Sequence, residues 1–184
     1  MFYLITGGSG SGKSAYAEEM ICRSPFKRRV YVAAMEVYDE EGRRKVRRHQ
    51  KLRQGKGFLT LERPRKIPGV LEGVGEKEER AVLLECMSNL AANELFAGGK
   101  MQDWQETFAR LKEAVCYLKE ESGLLVVVTG QVFSDGVDYG PETNAYIRLL
   151  GAINCFMAEQ ADGAAEIVCG IPLMLKKPFG AGEK

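Results

Sequence analysis

The chain has 184 residues, 45% of them hydrophobic, enough for one good core and too few for two independent ones. Its 26 lysines and arginines nearly balance 25 acids, for a net charge of +1, so no global attraction to nucleic acid or to a membrane surface is expected. Five scattered cysteines without C-x-x-C spacing argue against a disulfide framework or zinc site and read as reduced, buried thiols.

The first predicted element is the strand "FYLITG" (2–7), with no basic leader before it. "GGSGSGKS" follows at once and matches G-x-x-x-x-G-K-[ST] through Gly7, Gly12, Lys13 and Ser14. A helix rich in formers, "SAYAEEMI", comes next, and that context separates a phosphate site from an ordinary glycine- and serine-rich turn. Gly7, Gly8, Ser9, Gly10, Ser11 and Gly12 let backbone N–H groups and the helix N-terminus face a polyphosphate; Lys13 then reaches the β and γ phosphates. Ser14 is the candidate Mg²⁺ ligand through its hydroxyl.

A second strand, "RVYVAAM" (29–35), leads into a basic stretch. From Arg43 to Lys56 there are eight cations and no acid, and the single histidine of the chain, His49, stands among them. On a helix His49 shares a face with Val46 and Leu52, so one reading is a half-buried histidine under a solvated basic face. The other is chemical. Nearby cations and partial burial disfavour imidazolium, leaving a neutral nitrogen able to attack, while the same cations stabilise charge on a transferring phosphoryl or nucleotidyl group.

"GVGEKEER" (73–80) reads as an exposed connection and "AVLLECM" (81–87) as a buried strand. Glu85 at its end is either a second acid for Mg²⁺ at the carboxyl edge of the sheet or an N-cap for the helix "SNLAANELF". Trp104, Phe108, Leu111, Val115 and Leu118 repeat at helical spacing, as do Tyr146, Leu149, Leu150, Ile153, Phe156 and Met157. Between them lie the strand "LLVVVTG" (124–130) and an exposed connection, "SDGVDYGPE" (134–142). "AEIVCGI" (165–171) is the last predicted strand, and "KKPFGAGEK" reads as a loose end. Strand and helix alternate, which predicts a mostly parallel α/β sheet with helices on both faces. The expected organisation is one nucleotide-binding domain over 1–176, with a flexible tail over 177–184. No apolar run approaches the roughly 18 residues of a membrane span, and a cytoplasmic location is expected.

Several segments in register resemble the CobU family of bifunctional adenosylcobinamide kinases and adenosylcobinamide-phosphate guanylyltransferases: "LITGGSGSGKSAYAE", "VYVAAM", "RRHQKLR", "LLECMSNL" and "ADGAAEIVCGIPLMLK". The resemblance covers nearly the whole chain and implies a RecA-like P-loop NTPase domain. It implies phosphorylation of adenosylcobinamide by ATP or GTP, then transfer of GMP from GTP onto the phosphate through a GMP-histidine intermediate, at a position matched by His49. Lys13 is implied as the second catalytic residue. The implied nucleotide contacts are the P-loop, Ala33, Ala34 and Met35, then Gln50, Lys51, Leu52 and Arg53, and the acids Glu62 and Glu85. A homotrimer, Mg²⁺ and a corrinoid substrate are implied as well, with no nucleic-acid or membrane partner.

The chain departs from the family's pattern in places. "TGQV" puts Gly130 and Gln131 where the family carries an amide and a carboxylate; Ala34 replaces a threonine and Gln54 a proline, and Ile147 and Arg148 replace an Arg-Asp pair. Glutamine does not replace an ionised acid beside a magnesium-phosphate site. The departures bear on the kinase activity. Two other readings stay open: a P-loop kinase of another small hydroxyl substrate, which would not need His49, and a nucleotide-binding descendant without turnover.

Overall fold

The computed structural model describes residues 1–36, 40, 44, 51, 53–131 and 139–177. Among them seven strands form one sheet in the order β3-β2-β4-β5-β1-β6-β7. They are β1 (Phe2–Thr6), β2 (Arg28–Ala33), β3 (Phe58–Glu62), β4 (Arg80–Glu85), β5 (Leu124–Val128), β6 (Gly163–Val168) and β7 (Ile171–Lys176). All pairings are parallel except β6 with β7. The helices are α1 (Lys13–Arg23), α2 (Met87–Leu95), α3 (Trp104–Glu120) and α4 (Pro141–Gln160).

The central strands are apolar throughout because both faces of the sheet are covered. On one face α1 packs Ala17 and Ile21 onto Ile5, Tyr31, Leu83, Val126 and Ile167. On the other, α2, α3, α4 and the segment around Ile67–Val74 bury Phe2, Leu4, Val32, Leu84 and Val127. Leu111, Val115 and Leu118 of α3 and Leu149, Leu150, Ile153 and Met157 of α4 supply the buried helical stripes, as their spacing predicts, with Trp104, Phe108, Tyr146 and Phe156 half-buried beside them.

Several expectations need correction. β3 and β7 were not predicted, and each lies at an edge: no residue of β3 is buried and all six of β7 are exposed, so neither shows a core pattern. Lys176 is the last residue of β7 rather than loose chain; beyond Lys177 the expected tail lies outside the described residues. The 73–80 connection is not wholly exposed, since Val74 packs into the core and Arg80 is buried at the start of β4. In the second connection, 134–138 lie outside the described residues, and α4 already begins at Pro141, whose fixed φ suits a first helical position. The cysteines are free thiols, and not all are buried: Cys22, Cys86 and Cys116 are half-buried as residues, the Cys86 thiol itself being buried, and Cys155 and Cys169 are exposed.

Register fixes which residues meet at the carboxyl edge. Glu62, Ala33, Glu85, Val128, Ile5 and Ala165 form one continuous row across six strands. The P-loop leaves β1, the fifth of those six strands, just beyond that row.

Candidate functional site

The P-loop curls back on itself at the head of α1. Gly12 caps the helix with φ 93°, a left-handed conformation that favours glycine. At Gly7 a Cβ would come within 2.6 Å of the Ile167 carbonyl and 2.7 Å of the Ser11 hydroxyl, so only glycine fits there. Backbone bonds set the curve: Ser11 N donates to Gly8 O at 3.2 Å, and Tyr16 N to Gly12 O at 3.0 Å. The turn between β6 and β7 supports the loop from outside, with Gly170 N donating to Ser11 O at 2.8 Å. Lys13 reaches back over the loop, its Nζ donating to Gly8 O at 2.9 Å. Ser9 and Gly10 are exposed at the tip.

Glu85 closes the site from the neighbouring strand. The Ser14 hydroxyl donates to its Oε1, bringing the first turn of α1 against the end of β4. The N-cap reading of Glu85 needs correction. Cys86, not Glu85, occupies the N-cap of α2, and no side chain caps that helix. Ser14 and Glu85 together offer hard oxygen donors, the chemistry that Mg²⁺ selects, beside a loop shaped for phosphate. The Cys86 thiol is pushed up by burial and by the Glu85 charge, with Lys13 acting against them.

Ala33, Ala34 and Met35 leave the adjacent strand at the same edge. Ala34 is buried, and its N donates to the Glu85 carbonyl at 2.9 Å. Asn93 of α2 pins this exit, its Nδ2 donating to Ala34 O at 2.7 Å and to Pro64 O at 3.0 Å. Glu62 ends β3 in register with Ala33 and is exposed. It lies two strands from Glu85, roughly 10 Å by strand spacing, and so does not join the Ser14–Glu85 pair.

Of the basic stretch, Lys51 is exposed and Arg53 buried, while His49, Gln50 and Leu52 lie outside the described residues. Arg53 lays its guanidinium over the Tyr31 ring, with Cζ 3.5 Å from the centroid. Lys51, Arg53, Phe58 and Thr60 help to line an open depression of about 700 Å³. Tyr31 is held above the ordinary phenol range by burial first and by the Glu85 charge second, with Arg53 opposing. Sequence reasoning missed Tyr31 and Asn93. The only signal for Tyr31 was a hydroxyl in an otherwise apolar strand; Asn93 had none.

The departures can also be located. Gly130 N donates to the Ser88 hydroxyl at 2.7 Å, and a Cβ at residue 130 would come within 3.0 Å of that oxygen. Gln131 is exposed, and its N lies 3.4 Å from Gly7 O, so it sits beside the P-loop. Asn154 accepts from the Thr129 hydroxyl at 2.9 Å, tying α4 to the end of β5. Among the described residues no helix is long and apolar enough to cross a membrane.

Solved structures share this architecture at low identity. The KaiC-like protein PH0186 of Pyrococcus horikoshii is similar with a TM-score of 0.54 at 14% identity, over 99% of this chain and 82% of that one. The flagellar accessory protein FlaH of Methanocaldococcus jannaschii follows at 0.50 and 12%, over 99% of this chain and 80% of that one. The fold is a RecA-like P-loop NTPase domain. Among proteins of similar sequence, the bifunctional adenosylcobalamin biosynthesis protein CobU of Salmonella typhimurium is 28% identical over 96% of this chain and all of that protein. CobP of Pseudomonas aeruginosa, of the same description, is 26% identical over 94% of this chain and 96% of its own length. Residues 3–175 match the family described as cobinamide kinase / cobinamide phosphate guanyltransferase, and over so nearly complete a span the chain belongs to that family, CobU.

Proposed function

We propose that this chain carries out both reactions named by its family, on adenosylcobinamide. In the first, the hydroxyl of the aminopropanol arm attacks the γ-phosphorus of ATP or GTP, and the bond to the β-bridging oxygen breaks. In the second, a ring nitrogen of His49 attacks the α-phosphorus of GTP and pyrophosphate leaves; the substrate phosphate then attacks that phosphorus, the P–N bond breaks, and adenosylcobinamide-GDP is released.

The observation that carries the reading is the convergence of Lys13, Ser14 and Glu85 at one edge of the sheet in a chain of this family. Lys13 would leave Gly8 O for a phosphate oxygen, a short move for a flexible side chain. Ser14 and Glu85 would hold Mg²⁺, which when bound neutralises phosphate charge. Gly7 to Gly12 would wrap the phosphates; Ala33, Ala34, Met35 and Glu62 would border the nucleotide along the edge. Lys51 and Arg53 would neutralise the phosphate carried by His49, with Gln50 and Leu52 beside it. A homotrimer in the cytoplasm, built from one domain over 1–176, completes the proposal. The exposed apolar strand β7 supports self-association, since an unpaired edge of this kind invites covering.

Intact-protein mass spectrometry after incubation with GTP and Mg²⁺ tests the reading. Wild type is expected to gain one acid-labile guanylyl group and His49→Ala none. An unmodified wild type at millimolar GTP would overturn the histidine mechanism and leave a P-loop kinase as the better account.

A further inference from the structure

Arg53 is only 7% exposed, yet two of its guanidinium nitrogens, Nε and Nη1, are buried without a hydrogen-bond partner among the described residues. A buried donor left idle is costly, and folded chains seldom keep one without a bound group to complete it. What holds the group is a face rather than a bond. The Tyr31 ring lies 3.5 Å below Cζ, and stacking of this kind occupies the plane of a guanidinium while leaving the donors on its rim unengaged.

The platform is itself well fixed. Tyr31 is buried in mid-strand, in register with Thr60 on one side and Leu83 on the other. The Phe58 ring meets it edge-on at 6.2 Å. Glu18, the buried acid of α1 on this side of the sheet, is already paired with Lys56 at 2.5 Å. Glu85 lies one pleat further along the same face, at the register position of Ala33. A planar cation with unpaired donors is therefore held over the middle of β2, on the face of the sheet that carries α1 and three strands from β1, which leads into the P-loop. The acceptor that fits a guanidinium rim is an anionic oxygen pair, as on a phosphoryl group.

We infer that Tyr31 is a positioning residue for nucleotide transfer: its ring fixes the plane of the Arg53 guanidinium so that the unpaired donors meet a phosphoryl group of bound GTP. The inference rests on the guanylyl-transfer reading given above. Tyrosine's hydroxyl is not needed for it, but its ring is.

The test is the single-turnover rate of guanylyl adduct formation at saturating GTP and Mg²⁺, followed by intact mass. Tyr31→Phe keeps the face and is expected to stay within about threefold of wild type, whereas Tyr31→Leu should fall at least about tenfold. Arg53→Lys keeps the charge but loses the planar fork, and should fall like Tyr31→Leu. In the Arg53→Gln background, Tyr31→Leu should slow the reaction no further, because the platform then has nothing to carry. Should Tyr31→Leu not fold, Tyr31→Met takes its place, filling the site without offering a face. Equal rates for wild type and the Leu or Met variant would overturn the inference, as would independent, additive losses from Tyr31→Leu and Arg53→Gln. An unmodified wild type overturns the guanylyl-transfer reading and the inference with it, which separates that failure from the others.

Discussion

The hydroxyl of Ser14 donates to the carboxylate of Glu85, 71 positions later in the chain, and so ties the first turn of α1 to the end of β4. The bond spans the two segments that border the phosphate loop. A carboxylate and a hydroxyl side by side offer the hard oxygens that Mg²⁺ prefers, which is the role proposed for Glu85. Glu85→Gln keeps the size and can still accept from Ser14, but removes the charge. The Mg²⁺ concentration giving half-maximal nucleotide turnover is expected to rise about tenfold or more, with little change in thermal stability. Magnesium titration of turnover checks this, and an unchanged midpoint would remove Glu85 from the metal site.

The outer strand β7 exposes Ile171 (63%), Leu173 (49%) and Leu175 (64%) along its length. Among the described residues no strand pairs with its outward side. If this edge joins subunits, placing charge on it will separate them at little cost to each chain. Leu173→Glu with Leu175→Glu is expected to lower the mass in sedimentation equilibrium to that of one chain. Each folded unit should change by only about 0.5 kcal/mol per site. An undiminished assembly would move the interface elsewhere.

Tyr146 lies on α4, its hydroxyl donating to Ser88 O at 3.2 Å, and burial pushes its pKa up to about 12. The unfolded phenol ionises near 10. Folded-state protonation therefore favours the native chain fully below pH 10, and that contribution is lost as pH rises towards 12. Tyr31 acts in the same direction. The urea midpoint is expected to fall between pH 10 and 12, less steeply in Tyr146→Phe than in wild type. Equal slopes in the two proteins would remove Tyr146 from the account.

Legibility followed local determination. The P-loop was readable because its geometry is set within eight consecutive residues. β1, β2, β4 and β5 announced themselves because burial on both faces forces continuous apolar runs. β3 and β7 escaped because an edge strand need not alternate or bury: β7 even carries Pro172, and its apolar residues face outward. Glu85 was ambiguous since an acid after a strand serves a cap or a metal equally well; that Cys86 takes the cap and that Glu85 meets Ser14 depend on how α1 and the next helix pack. Tyr31 was unreadable because its significance depends on Arg53, 22 positions later, arriving over its ring. His49 was legible by its rarity and by the family's pattern, and it lies outside the described residues.

The support beneath the phosphate loop is written almost entirely in main-chain atoms. Gly12 and Gly170 approach so closely that a Cβ on the first would stand 3.3 Å from the Cα of the second, and the hydrogen bond joining loop to turn runs from backbone to backbone. Side chains along β6 and β7 can therefore be exchanged through long divergence without shifting the loop, provided that the glycines stay. A chain sharing little more than a quarter of its residues with its bacterial relatives has this freedom built in. A methyl group at residue 12 would press on Gly170, and one at residue 170, though it has room, would strain a backbone held at φ 81°, so either would disturb the loop more than a much larger change elsewhere on the hairpin.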